Sequence, residues 1–155
     1  MKRFIRGQNG FTLIEVMLAL MVLGVGLLGI AGMQEMALGR NVDANELSVL
    51  TNLAADMVER IRFNGRNVTV YDGIDTLNVA TRPPNAQVMA QGDYDQWSAR
   101  LAASGLRNVR GRITVIAVGP QGATGLNQNQ VTVQVNWSAL IRTRALNLTT
   151  IVSPE

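Results

Sequence analysis

The chain has 155 residues, room for one ordinary domain and little more. Cysteine and histidine are both absent, which excludes disulfides, thiolate or imidazole metal sites, and every catalytic triad or dyad built on those side chains. Apolar residues make up 47% and charged residues 16%, too apolar a mix to be spread evenly over a small soluble domain, so the excess is expected in one segment. The formal charge of +3 would point towards nucleic acid, but Lys2, Arg3 and Arg6 account for all of it, and the chain beyond residue 10 holds eleven basic and eleven acidic residues.

Residues 11–34 carry a single charge, Glu15, and residues 16–34 carry none. About 20 apolar residues at about 1.5 Å rise cover the hydrocarbon core of a bilayer, so this stretch is expected to span a membrane. The basic leader places the N-terminus in the cytoplasm and the bulk of the chain outside it. Two plainer readings compete. One is an ordinary signal anchor. The other is a cleaved secretory signal ending at the small residues of Gly29-Ile30-Ala31; against it stand an apolar run longer than the usual signal core and the ionisable Glu15 within it.

An acidic side chain in hydrocarbon costs a few kcal/mol and normally has a partner or a function. Glu15 lies four residues after Phe11, at the junction between polar leader and apolar helix. Cleavage between Gly10 and Phe11 would expose an α-amino group complementary to the Glu15 carboxylate, within one chain or between neighbours.

The run Gly10-Phe11-Thr12-Leu13-Ile14-Glu15, after a short basic leader and before an apolar helix, resembles the processing motif of type IV pilins and type II secretion pseudopilins. The resemblance implies cleavage after Gly10 by a prepilin peptidase, N-methylation of Phe11, and a part for Glu15 in docking the subunit into a filament. The continuation through residues 16–34, with Ala54-Ala55-Asp56-Met57-Val58-Glu59-Arg60-Ile61-Arg62 and Asn64, resembles the PilV-type minor pilins. That similarity covers residues 7–64 and is weak beyond. The chain departs from many pilins in having no cysteine for a C-terminal disulfide and no proline in the apolar helix, where Gly24, Gly26, Gly29 and Gly32 stand instead.

Residues 1–10 are thus expected to be a cleaved leader, 11–34 a transmembrane half-helix and 35–64 an amphipathic half-helix. In the latter, Leu47, Leu50, Ala54, Met57 or Val58, and Ile61 recur at three- and four-residue intervals, opposite Asp43, Glu46, Asp56, Glu59, Arg60 and Arg62. Asn64-Gly65 supplies a stop. Residues 65–92 read as an irregular connection with one short strand over 68–71. Residues 93–155 read as a head: a short helix capped by Asp93, with Trp97 and Leu101 packed inward and Gly105 ending it, then strands near 113–118, 131–137 and 145–152. In the second, Val131, Val133, Val135 and Trp137 alternate with polar residues, one face buried and one wet. The fold class is α+β and type IV pilin-like: a long N-terminal helix packed on an antiparallel sheet of three or four strands.

The acid pairs Asp72/Asp75 and Asp93/Asp95 lack the ligand series of a calcium loop and read as turn or cap residues. No metal and no cofactor is expected. Residues 35–95 hold nine acids and five arginines, whereas 96–154 hold six arginines and no acid. Arg110, Arg112, Arg142 and Arg144 are therefore expected to form a basic patch that meets an acidic neighbour. The expected function is that of a minor pilin, a non-enzymatic subunit that inserts into a type IV pilus and helps prime its assembly or pilus-dependent adhesion and motility. Alternatives are a secretion pseudopilin and a membrane-anchored nucleic-acid-binding module, the last disfavoured by sparse aromatic residues among the arginines. Expected partners are the prepilin peptidase, the major pilin and other minor pilins, the inner-membrane assembly platform and a pilus-associated adhesin. The expected location is the bacterial inner membrane, single-pass with a periplasmic head, and then the pilus.

Overall fold

The computed structural model describes residues 10–122, 125–139 and 142–153. Helix α1, Leu13–Phe63, is followed by two 3-10 turns, Gly65–Tyr71 and Val79–Thr81, by helix α2, Val88–Ala102, and by strands β1, Arg107–Val118, β2, Gln128–Ala139, and β3, Arg142–Val152. The chain divides into two compact units, Met1–Val42 and Asp43–Glu155.

In the first unit, α1 is long and apolar enough to cross a membrane, and none of its apolar window is buried among the described residues. Leu13, Ile14, Leu20, Val25 and Leu28 are all exposed. A helix that is apolar all round and touches no core is suited to lipid or to other apolar helices.

In the second unit, an antiparallel meander in the order β1-β2-β3 lays one face on α1 and α2. Direct cross-strand partners share a face. Val131, Val133, Val135 and Trp137 of β2 are buried, with Val115, Ile113 and Gly111 of β1 opposite the first three and Thr150, Leu148, Leu146 and Arg144 of β3 opposite all four. The helices answer with Leu50, Ala54, Met57 and Ile61 from α1 and with Ala90, Tyr94, Trp97 and Leu101 from α2. The outer edge of β1 is covered, because residues 73–76 exchange backbone hydrogen bonds with Gly111 and Ile113 at 2.9–3.1 Å.

Several expectations shift. Residues 65–71 form a 3-10 turn and no strand, since Asn64 and Tyr71 are drawn together by a side-chain bond of 3.0 Å. Helix α2 starts at Val88 after Gln87, so Asp93 lies inside the helix and does not cap it. Gly105 does follow the helix in the left-handed region, at φ 75°, where a side chain would be strained. Leu47 is 45% exposed and is no part of the core. Asp43 and Glu46, expected on the wet face, continue the packing stripe of Leu50, Ala54, Met57 and Ile61 at helical spacing.

Gly111 marks the closest approach of sheet to helix. A Cβ at this position would lie under 3.0 Å from the Trp97 ring and from Leu101 Cδ1. Trp97 cannot retreat, because its Nε1 donates to the Leu53 carbonyl at 3.0 Å. Gly111→Ala is therefore expected to destabilise the folded chain by about 1–3 kcal/mol through overpacking. Chemical denaturation of the detergent-solubilised chain, followed by tryptophan fluorescence, checks this; an unchanged midpoint would show that β1 can move away from α2 at no cost.

Candidate functional site

The Gly10-Phe11-Thr12 end of the motif stands directly before α1. Gly10 and Phe11 precede α1, and Phe11 is 83% exposed. Thr12 caps the helix: its carbonyl accepts from the backbone N–H of Glu15 at 3.0 Å and of Val16 at 3.3 Å, and its Oγ1 also accepts from Glu15 N–H, at 3.4 Å. This is one half of a capping box. The reciprocal half is not made, and the Glu15 carboxylate has no hydrogen bond or ion pair among the described residues. Its place in the first turn is favourable for negative charge, because the unsatisfied N–H groups gather there. The result is a Gly10-Phe11 junction outside the helix and, one turn in, an acid available to a positive partner. Lys2, Arg3 and Arg6 lie outside the described residues.

The head joins its elements with charge at both ends of the packing stripe. At one end, Arg144 Nη2 reaches Asp43 Oδ2 at 2.6 Å, and Trp137 Nε1 donates to Glu46 Oε2 at 3.0 Å. At the other, buried Asp93 accepts from Tyr71 Oη at 2.7 Å and from Arg60 Nη1 at 3.0 Å. Arg60 also donates to Asp56, and Asn64 Nδ2 donates to Tyr71 Oη. Burial, with the Asp93 carboxylate beside it, pushes the Tyr71 phenol above its usual pKa, so it stays a donor. These residues escaped the sequence reading, which assigned acids and arginines of an amphipathic helix to water. The available signal was the spacing of Asp43 and Glu46 in line with Leu50, Ala54, Met57 and Ile61.

The four arginines expected as one basic patch are divided between two faces. Arg110 and Arg112 stand opposite Asn136 and Gln134 on the outer face, while Arg142 and Arg144 stand opposite Ala139 and Trp137 on the helix-facing side. Most of their charge is answered internally. Arg110 makes a short contact with Asp75, Arg112 reaches the same carboxylate at 3.3 Å, and Arg144 is held by Asp43. The sequence interval without acids concealed this, because the partners come from residues 43–75. Of the paired carboxylates, Asp75, Asp93 and Asp95 take arginines, Asp95 holding Arg82 at 2.6 Å, while Asp75 also accepts from Leu77 N–H at 3.2 Å in the turn it was expected to make and Asp72 accepts from Val115 N–H at 2.8 Å.

Residues 5–31 match the prokaryotic N-terminal methylation motif. The chain carries a type IV prepilin-like N-terminus. That motif indicates a pilin-like or pseudopilin-like protein, a class that is typically structural and not enzymatic, and it fits membrane anchoring through the apolar helix. No curated protein and no solved structure matches the chain.

The Asp75 joint gives a pH prediction. The guanidinium of Arg110, helped by Leu77 N–H and Arg112, lowers the Asp75 pKa from 3.8 to about 2 against the opposing effect of burial. A carboxylate with a depressed folded pKa stabilises the fold above its unfolded pKa and loses that contribution as pH falls through the folded one. Thermal stability of the chain in micelles should thus fall between pH 3.8 and about 2. Asp75→Asn should be less stable at neutral pH and show a shallower acid loss. An identical acid profile in the variant would remove Asp75 from the account.

Proposed function

We propose that this chain is a minor pilin of the PilV type, a structural subunit processed after Gly10, methylated on Phe11 and assembled into a type IV pilus. The observation that carries the reading is the coincidence, at the start of α1, of the Gly10-Phe11 junction, a Glu15 carboxylate with no partner among the described residues and an apolar half-helix with exposed side chains. Before assembly, lipid covers that half-helix; in a filament, the corresponding helices of neighbouring subunits replace lipid. Cleavage creates an α-amino group on Phe11, and in hydrocarbon the amine of one subunit and the Glu15 carboxylate of its neighbour neutralise each other. The pairing sets axial register, because apolar helix contacts alone allow sliding.

The partners in this reading are the prepilin peptidase, the major pilin, other minor pilins and the inner-membrane assembly platform. The head supplies the surface shown at the filament or its tip. Ion pairing of Arg100, Arg110, Arg112 and Arg144 within the fold weighs against a nucleic-acid interface, which needs several uncommitted cations.

Glu15→Ala should leave cleavage and membrane insertion intact and lower recovery in sheared filaments by about tenfold, the factor a pairing of about 1.4 kcal/mol gives. Equal recovery of variant and wild type would remove the docking function from Glu15, and loss of cleavage would move the residue to the processing step. Deleting pilus genes and secretion genes separately, then testing where the chain assembles, separates the pilus from the secretion pseudopilin.

A further inference from the structure

Pairing within the head leaves a small remainder of charge. Residues 43–153 contain ten arginines. Seven form ion pairs, and Arg66 is engaged as well. Of the ten arginines, Arg107 and Arg142 alone have neither an ion pair nor a side-chain hydrogen bond among the described residues, and both are exposed.

The topology brings these two to one end of the sheet. Arg107 opens β1 opposite Ser138, and Arg142 opens β3 opposite Ala139, so they flank the last two residues of β2. Strand β3 runs alongside α1 from Asp43, which holds Arg144, to residues 62–67, which line one groove with Ile151, Val152 and Ser153. Arg142 lies beyond Arg144 in that direction, at the end of the head whose helical residues are nearest in sequence to the apolar span. Asp43 follows Gln34, the last residue of the uncharged run, by nine positions. Even fully extended, nine residues reach only about 30 Å.

We propose that Arg107 and Arg142 bind the phosphate groups of anionic phospholipids in the bilayer that holds the apolar half of α1, an inference that rests on the membrane-anchored reading above. A guanidinium matches phosphate oxygens in a bidentate fork and is held less tightly by water than an ammonium. The short tether keeps the headgroup layer within reach for as long as the subunit is in the membrane. The head of a second copy offers less. Among the described residues of the head every carboxylate is already engaged: Glu46 by Trp137, Asp72 by Val115 N–H, and the others by arginines. Two arginines at an anionic surface favour the bound orientation by roughly fivefold each. The contact orients the head before assembly and is given up when the subunit leaves the bilayer.

The test uses the full chain in nanodiscs of phosphatidylcholine alone or mixed with phosphatidylglycerol, each doped with a gadolinium-headgroup lipid, and reads paramagnetic broadening of backbone amides. Broadening at Asn108 and Thr143 should be several-fold stronger in the anionic discs, reversed by salt, and lost in the double variant Arg107→Gln/Arg142→Gln. It should persist in Arg62→Gln, which removes an exposed cation at the opposite end. Equal broadening in both lipids, or broadening unaffected by the double variant, would overturn the proposal. A double variant with unchanged lipid contact but lost association with another pilin would assign the two cations to a protein and overturn it too. Failure of the chain to incorporate into either disc would overturn the anchor reading itself, an outcome distinct from incorporation without contact.

Discussion

The head is organised on one stripe of α1, running through Asp43, Glu46, Leu50, Ala54, Met57 and Ile61. Its middle is apolar and wholly buried, and this supplies the driving force, which is proportional to area and indifferent to direction. Its two ends are polar and carry the directional bonds. Asp43 and Glu46 take Arg144 and Trp137 of the sheet, while Arg60 and Asn64 meet Asp93 and Tyr71. Apolar contact alone would let the sheet slide by a helical turn. A carboxylate at one end and the cluster of buried Asp93 and Tyr71 with half-buried Arg60 at the other fix the register, and removing Arg60 would leave the Asp93 carboxylate desolvated without its cation. The lengths agree: β3 from Arg144 to Val152 spans about 26 Å at strand rise, and α1 from Asp43 to Phe63 about 30 Å at helical rise.

That arrangement has a consequence for the other unit. The apolar face of the head packs on residues 50–61 of α1 and on α2, and the exposed Leu, Val, Met and Ile side chains of residues 13–34 need covering of their own. Lipid and neighbouring apolar helices are the two environments that satisfy them, and a subunit that moves from one to the other needs no refolding of its head. Glu15 fits the same division: it is tolerable at a helix start near headgroups and most useful opposite an amine.

The parts legible in the sequence were those whose signal is local. The alternation of Val131, Val133, Val135 and Trp137 with polar residues fixed one strand and its buried face, and the uncharged run of residues 16–34 fixed the apolar helix. The N-terminal methylation motif was readable because it is a run of adjacent residues, matched over 5–31. What remained hidden depends on partners distant in the chain. Asp93 looked like a helix cap until Tyr71 and Arg60 gave it a buried task. Arg110 and Arg144 looked uncommitted because Asp75 and Asp43 lie 35 and 101 positions away. Leu47 looked like core, but the stripe that meets the sheet passes through Glu46.

The account stands or falls on whether the chain reaches a filament in processed form, and the most direct measurement is the intact mass of the chain recovered from sheared surface filaments. The expected species begins at Phe11 and carries one methyl group on its amine. Recovery of a chain with residues 1–10 attached, or of one beginning after Ala31, would contradict it.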